Sequence, residues 1–415
     1  MKEGGKKLYN LLLKTWDVDK LKNHLIIKGR IGWKGLKKSE YSDNGYIIIS
    51  GNQIINDDID WNNCGRISEF RYKESPEIML RENDILMTKD GTIGKLAYIE
   101  QLRENATVAS GVFVIRNNST KLMQKYAYIY LRSKIFKNFI NSRIEGSVIP
   151  HLYQRDINEI EIAIPEIHEQ SVIVNIINSS DNKIKLNNKI NNSLEKISKE
   201  LFKYWFVDFE FPNEQGKPYK YSGGEFIDSE LGKIPKGWEI QEYKSLADIF
   251  SGKGLPKDKI TSDGVYPIYG ANGIISHTND YLFHEELIIT GRVGTLGKIL
   301  LVNEKVWISD NVLISRPKDR IFTYFIYFTL RKFNLSNLNR GSTQPLITKT
   351  DISKLKIVIP TREFFINFDK IIRNAQRLID LLSKQNQILS QIRDTLLPKL
   401  ITGKIRVNLE DVKER

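Results

Sequence analysis

Apolar positions along the first 165 residues come in short runs broken by Gly, Asn and Asp. Tyr46–Ile49, Asp84–Thr88, Lys95–Ile99, Val112–Ile115 and Glu159–Ile164 are of strand length and predict a sheet-rich block. A helical period around Lys125–Ile140 interrupts them, and Lys6–Thr15 predicts a short leading helix. After Pro165 the pattern changes. Ile190, Leu194, Ile197, Leu201 and Tyr204 are spaced 4, 3, 4, 3, which is the seam of a coiled coil. This helix ends in an aromatic burst, Phe202, Tyr204, Trp205, Phe206, Phe209 and Phe211, read either as core where helix meets head or as a docking surface. Near the C-terminus the same alternation returns in Ile371, Ala375, Leu378, Leu382, Gln385, Leu389, Ile392 and Leu396. Asn187 and Gln385 fall on the two seams, where a polar residue either fixes register or marks a solvated stretch.

The two blocks are copies. Gly146–Pro165 matches Gly341–Pro360 at a constant shift of 195, with Gly146, Ser147, Pro150, Asp156, Ile157, Ile162, Ile164 and Pro165 identical to their counterparts. Chance would give about one identity over such a stretch. Asn83–Ile99 likewise resembles Glu285–Val302, read with one extra residue before the glycines. An internal repeat of this length governs the fold. The expected class is α+β: two tandem, pseudo-two-fold-related, sheet-rich heads joined by two long antiparallel coiled-coil helices. The expected boundaries are a first head with its leading helix at 1–165 and a central helix at 166–211. A Gly/Pro-containing linker follows at 212–236, then a second head at 237–360 and a C-terminal helix and tail at 361–415. Helices of roughly 38 residues would reach about 55 Å, enough to hold two readers one turn of DNA, about 34–36 Å, apart.

Charge then narrows the partner. Against 50 Asp+Glu stand 63 Lys+Arg, a formal charge of +13, which favours a polyanion and nucleic acid first. The single cysteine, Cys64, excludes an internal disulfide framework and a cysteine zinc cluster, and points to a reducing compartment. The opening KLYNLLLKTW lacks the apolar core and cleavage site of a signal peptide. The longest apolar-leaning run, near Ile321–Leu330, is about half the length that crosses a bilayer. A cytoplasmic protein with no membrane partner is expected.

Catalytic signatures are missing. There is no N-P-P-[FY] tetrapeptide of an amino-methyltransferase and no Pro-Asp followed by E-x-K of a metal-dependent nuclease. Gly291–Ile299, GRVGTLGKI, is one residue too long for a phosphate loop and puts Ile299 where Ser or Thr should bind magnesium. A hairpin turn suits it better. His24, His151, His168, His277 and His284 include no pair at helical spacing. His277 and His284 with Asp280 and Glu285 suit a solvated loop better than a metal site. No metal, cofactor or catalytic residue is expected in this chain.

Loops of cations, amides and hydroxyls are present in both heads. Lys and Arg neutralise phosphates, while Arg, Asn and Gln bind base edges through two hydrogen bonds. The candidate DNA-binding residues are Arg30, Lys34, Asn52, Gln53 and Lys89 in the first head. In the second they are Lys253, Asn272, Arg292, Arg340 and Gln344. The candidate coiled-coil and partner residues are Ile190, Leu194, Ile197, Leu201, Leu378, Leu382, Leu389, Ile392 and Leu396.

Taken in order, the tandem heads, LFKYWFVDFEFP at Leu201–Pro212, SELGKIPKGW at Ser229–Trp238, GSTQPLI at Gly341–Ile347 and LLPKLITGKIRV at Leu396–Val407 resemble the specificity subunit of type I restriction–modification systems. The resemblance covers essentially the whole chain. It implies a non-catalytic DNA reader whose two target recognition domains each recognise half of a split site. It implies helices that act as spacer and scaffold for two methyltransferase subunits carrying S-adenosylmethionine and modifying adenine. Where a restriction system is complete, it implies two motor subunits that use ATP and Mg and cleave DNA. Ile149 stands where the second half has Gln344, and IPTREFF after the second head departs from IPEIHEQ after the first. Two different half-sites, hence an asymmetric target, are expected. Two other readings stay open: a coiled-coil adaptor whose heads bind protein, and the reader of a methylation-only phage-defence complex without a motor.

Overall fold

The computed structural model describes residues 16–30, 36–143, 151–292, 298–333, 335 and 346–407. The leading helix expected at Lys6–Thr15 lies outside them. Two compact units are present. The first is residues 1–186 with 385–415; the second is residues 187–384.

The first unit contains β1 (Asp17–Lys20), β2 (Leu25–Gly29), β3 (Tyr41–Ser42), β4 (Tyr46–Ile49), β5 (Ile54–Ile55), β6 (Asp58–Ile59), β7 (Gly65–Ile67), β8 (Ile85–Thr88), β9 (Leu96–Tyr98), β10 (Ala106–Val108), β11 (Val112–Asn117) and β12 (Glu161–Ile164). Its helices are α1 (Glu69–Lys73), α2 (Gln124–Arg132), α3 (Lys134–Arg143), α4 (Gln154–Asn158) and the N-terminal half of α5 (Ile167–Phe206). The strands form sheets ordered β2-β11-β8-β9 and β10-β4-β7-β3, with β1 paired to β12. Strand alternation separates two cores. Phe113 and Ile115 of β11 face the core shared with the helices, whereas Val112 and Val114 face the core against the other sheet. The helix expected over Lys125–Ile140 is two helices. Ser133 between them is extended, and its Oγ accepts the Phe136 N–H (3.2 Å), capping α3.

The second unit repeats this plan. It contains β13 (Phe226–Ser229), β14 (Gly232–Pro235), β15 (Glu239–Glu242), β16 (Ala247–Ser251), β17 (Tyr266–Gly270), β18 (Gly273–Thr278), β19 (Leu287–Gly291), β20 (Ile299–Val302), β21 (Trp307–Ile308), β22 (Val312–Pro317) and β23 (Lys356–Ile359). Helices α6 (Thr323–Lys332), α7 (Lys349–Ser353) and the N-terminal half of α8 (Arg362–Ile401) complete it. The order β16-β22-β19-β20 copies β2-β11-β8-β9, the parallel pair β17·β21 copies β4·β10, and β15·β23 copies β1·β12. Register corrects one detail of the repeat. Ile85 pairs with Tyr98 and Ile288 with Leu301, so Thr88 and Gly291 are equivalent with no extra residue between the copies. The segment expected as a linker carries the β13·β14 hairpin.

Each unit is thus α+β, closed by half of each long helix, and the halves run antiparallel within it. In the first, Ile173 and Ile177 of α5 share a core with Leu397, Leu400 and Ile401 of α8. In the second, the Asn191 amide donates to Ser383 Oγ (3.3 Å), and Phe202, Trp205 and Phe206 pack on Phe368. The aromatic burst is therefore mostly core, with Tyr204 left exposed.

The seam keeps the register expected at some positions and runs one residue out of it at others. Ile197 is 61% exposed, while Ser198 is buried. Ser198 can be buried because its hydroxyl donates to the Leu194 carbonyl one turn back (2.8 Å). Ile190, Leu194 and Leu201 are half-buried and Asn187 is fully buried. On α8, Leu382, Leu389 and Leu396 are half-buried. Ile371, Leu378 and Ile392 face outward, as does Gln385.

A part-buried ionic knot fastens helix to head in each unit. In the first, Arg132 of α2 and Arg393 of α8 both bind Asp181 of α5 (2.5 and 2.8 Å). In the second, Arg373 of α8 binds Asp369 (2.8 Å) and Glu286, which precedes β19. Burial works against ionisation of Asp181, but the bonds and charge of Arg132 and then Arg393 outweigh it and hold its pKa below the ordinary carboxylate value. Glu286 is held low in the same way by Arg373 against burial.

A second fastening joins the start of each head to a helix start and a tail. Trp16, just before β1, donates its indole N–H to Glu169 Oε2 (2.9 Å). Arg406, beyond α8, donates to both Glu169 oxygens (2.8 and 3.0 Å) and lies 5.0 Å over the Trp16 ring. The repeat replaces Trp16, Glu169 and Arg406 by Trp238, Phe364 and Phe211. There Phe211 stacks on Trp238 (4.7 Å) and packs edge-on to Phe364 (4.6 Å). One clasp is ionic and the other aromatic. Among the described residues, no helix is long and apolar enough to cross a membrane.

Candidate nucleic-acid interface

In each head, one end of the β11 or β22 sheet gathers the loops that carry the candidate residues described by the structure. In the first head, the Lys89 N–H donates to the Gly111 carbonyl (2.9 Å), and the Lys89 carbonyl accepts the Leu152 N–H (2.9 Å). The Ala109 N–H donates to Ile49 O (2.9 Å), drawing the turn after β10 to the turn after β4. In the second head, Arg292 N–H donates to Asn311 O (3.0 Å), Ile347 N–H donates to Arg292 O (3.0 Å), and Ser309 N–H donates to Tyr269 O (3.0 Å). The same three ties recur. Lys89 and Arg292 therefore occupy one position of the repeat, the first residue past the central strand.

Asn52 and Asn272 form a second equivalent pair, both exposed, each three residues past the tied position, Ile49 or Tyr269. A lysine just before β9 or β20 braces each of these turns. Lys95 Nζ donates to Gly51 O (3.2 Å) and Lys298 Nζ to Asn272 O (2.5 Å). Sequence reasoning missed this brace, although the shared G-K at Gly94-Lys95 and Gly297-Lys298 was its signal.

Other candidates divide. Lys253 is exposed, on a backbone fixed by Trp307 Nε1, which donates to its carbonyl (2.7 Å). Gln53 is committed to its own turn: its Oε1 accepts from the Ser50 N–H and hydroxyl (3.1 and 2.6 Å), and its Nε2 donates to Asn63 O (3.1 Å). Arg30, expected on an exposed loop, is 2% exposed. Its Nε donates to Val108 O (3.2 Å) and its Nη1 lies 4.0 Å from Glu74. Burial, and then the charge of Arg71, draws its pKa below the usual arginine value. The equivalent of Arg30 is Gly252, where a Cβ would lie only 2.2 Å from Ser309 O. One head fills this place with a buried guanidinium and the other with close-packed backbone. Lys34, Arg340 and Gln344 lie outside the described residues.

Asp280 pairs with Lys259 (2.7 Å) and Glu285 with Arg316 (2.8 Å). Among the described residues, no group of three or more His, Cys, Asp or Glu is placed to hold a metal ion. Cys64 is half-buried, and burial followed by the charge of Asp60 pushes its thiol up to about 11, where it is a poor nucleophile.

Comparison with known proteins agrees with this architecture. The family model for the type I restriction modification DNA specificity domain matches residues 14–196 and again 235–396, one match for each copy of the repeat. The type I restriction enzyme MjaIX specificity subunit of Methanocaldococcus jannaschii is 28% identical, over 95% of this chain and 94% of that protein. The HindI specificity subunit of Haemophilus influenzae is 24% identical, over 79% and 87%. Among solved structures, the S subunit of a type I restriction–modification system from M. genitalium superposes with a TM-score of 0.60 at 17% identity, covering 93% of this chain and 96% of that one.

Proposed function

This chain belongs to the type I restriction modification DNA specificity family, and on that premise we propose that each of its heads reads one half of a bipartite, asymmetric DNA site. The observation that carries the reading is the matched pair of loop clusters. Lys89 and Asn52 in one head and Arg292 and Asn272 in the other stand at equivalent positions on equivalently tied backbone. Cations supply phosphate affinity and amides can read adenine edges. The differences between the clusters, Arg30 against Gly252 and Lys89 against Arg292, support two unlike half-sites. The formal charge of +13 supports the same polyanionic ligand.

The long helices serve as spacer and scaffold in this reading. Each is 40 residues long and contributes one half to each unit. Their outward apolar side chains suit protein partners: Ile366, Ile371, Leu378 and Leu381 in the second unit, Ile388 and Ile392 in the first. The partners proposed are two methyltransferase subunits, which bring S-adenosylmethionine, and two restriction subunits, which bring ATP and Mg. This chain contributes recognition without catalysis, in the cytoplasm where the DNA lies.

Co-expression with the neighbouring methyltransferase gene, followed by genome-wide mapping of methylated adenine, tests the proposal. A split motif with a fixed gap is expected. A stable complex that methylates without sequence preference would overturn it.

A further inference from the structure

Resting on the two-headed reading above, we infer that Arg292 reads a guanine in the second half-site, while its equivalent Lys89 makes no base-specific contact in the first. Both residues are held by the same two backbone hydrogen bonds, so both side chains leave the fold from the same anchor. What each meets next differs. Phe113 of β11 pairs with Met87, one residue before Thr88, and Leu313 of β22 pairs with Thr290, one residue before Gly291. Phe113 and Leu313 are therefore equivalent. The Lys89 ammonium lies 5.1 Å from the centre of the Phe113 ring, a cation–π contact that draws it back onto its own head. Leu313 offers Arg292 no ring.

The Arg292 guanidinium is also uncommitted among the described residues. Its Nε is buried with no hydrogen-bond partner among the described residues, which an intact head would ordinarily avoid. Arg116, by contrast, spends its guanidinium on Asp84 and the carbonyls of Glu77 and Met79. Arg292 as a whole is half-buried, so the head holds part of its side chain. The planar guanidinium fork of an arginine matches the O6 and N7 acceptors of guanine in the major groove. A lysine resting on a ring is a point charge suited to backbone attraction.

The test uses the full chain in its methyltransferase complex. Oligonucleotide duplexes carry every single-base change in both half-sites, and wild type is compared with Arg292→Lys, Arg292→Ala and Lys89→Ala. Wild type should require a G·C pair at one position of the second half-site. Both Arg292 variants should lose discrimination there, by about 5- to 150-fold, with the other positions and the whole first half-site read as before. Retained reading of the first half-site doubles as proof that the variant is folded. Lys89→Ala should weaken binding to all sequences alike and leave the motif unchanged. A second half-site with no G·C requirement, a uniform loss in Arg292→Ala that Arg292→Lys rescues, or no change in either variant would overturn the assignment. So would a first half-site that relaxes at one base in Lys89→Ala. If wild type shows no sequence preference at all, the failure is of the two-headed reading itself.

Discussion

Glu169 is a carboxylate at 3% exposure, and such a group is tolerable only with donors on its oxygens. Trp16 and Arg406 supply them. Arg406→Ala should therefore destabilise the protein by about 1–3 kcal/mol, read as a lower urea midpoint. The repeat supplies a sharper experiment, because Phe364 and Phe211 show what an apolar version of the clasp looks like. Glu169→Phe alone strands the arginine, and Arg406→Phe alone leaves the carboxylate with the Trp16 donor but no counter-charge from Arg406. The double variant should be more stable than the sum of the single losses implies; strictly additive losses would mean that the two positions do not act as a pair. At this scale the sequence was partly legible. Asn52, Asn272 and Lys253 sit in Gly-flanked turns and are exposed, as turn chemistry suggests. Arg30 was not legible, because a cation beside Gly29 looks solvated until strand pairing brings Val108 and Glu74 around it. Gln53 misled for a related reason: its polar ends are satisfied by Ser50 and Asn63, which no single-residue reading reveals.

Among the elements, hydrophobic periodicity located both long helices but chose the wrong face over part of α5. Ile197 looked like a seam residue because apolar side chains define seams, yet it is the small Ser198 that is buried. Ile197→Ser should change stability by no more than about 0.5 kcal/mol, as for an ordinary surface position. Ser198→Leu should cost about 1–3 kcal/mol by overpacking. The reverse ranking in thermal melts would restore the original seam. The ionic knots were invisible in sequence, since Asp181 and Arg393 are distant in the chain and neither is flagged by its neighbours. Asp181→Asn should cost about 1–3 kcal/mol at neutral pH, the usual penalty for removing a charged hydrogen-bond partner. The sign of its pH dependence follows from the depressed pKa. Stability due to the ionised Asp181 is present above the unfolded value, about 3.9, and is lost as pH falls through the lower folded value. The gap between wild type and variant should therefore be constant near neutrality and close below about pH 4. A gap that widened in acid would mean that Asp181 is not held ionised by Arg132 and Arg393.

For the molecule as a whole, the duplication was the most legible feature, because the identities at Gly146–Pro165 and Gly341–Pro360 lie where each head ends and its helix begins. What sequence did not reveal is that the compact units do not follow the chain order. Residues 385–415 complete the first unit, and the second begins inside α5 at residue 187. Heads and helices are therefore interlocked along the sequence, since each head relies on a helical half encoded after the other copy. If the helices also act as the spacer, their length should appear in the DNA motif. Removing one heptad from each helix keeps the apolar seam in phase while shortening each by about 10 Å, at 1.5 Å per residue. That length corresponds to about three base pairs at 3.4 Å each. Methylation mapping of the shortened protein should return both half-sites unchanged with a smaller gap between them. The same half-sites at the original gap would show that something other than the helices sets the spacing. Loss of one half-site alone would mean that the deletion had damaged the unit that reads it, and moving the deletion by one heptad along both helices would separate these cases.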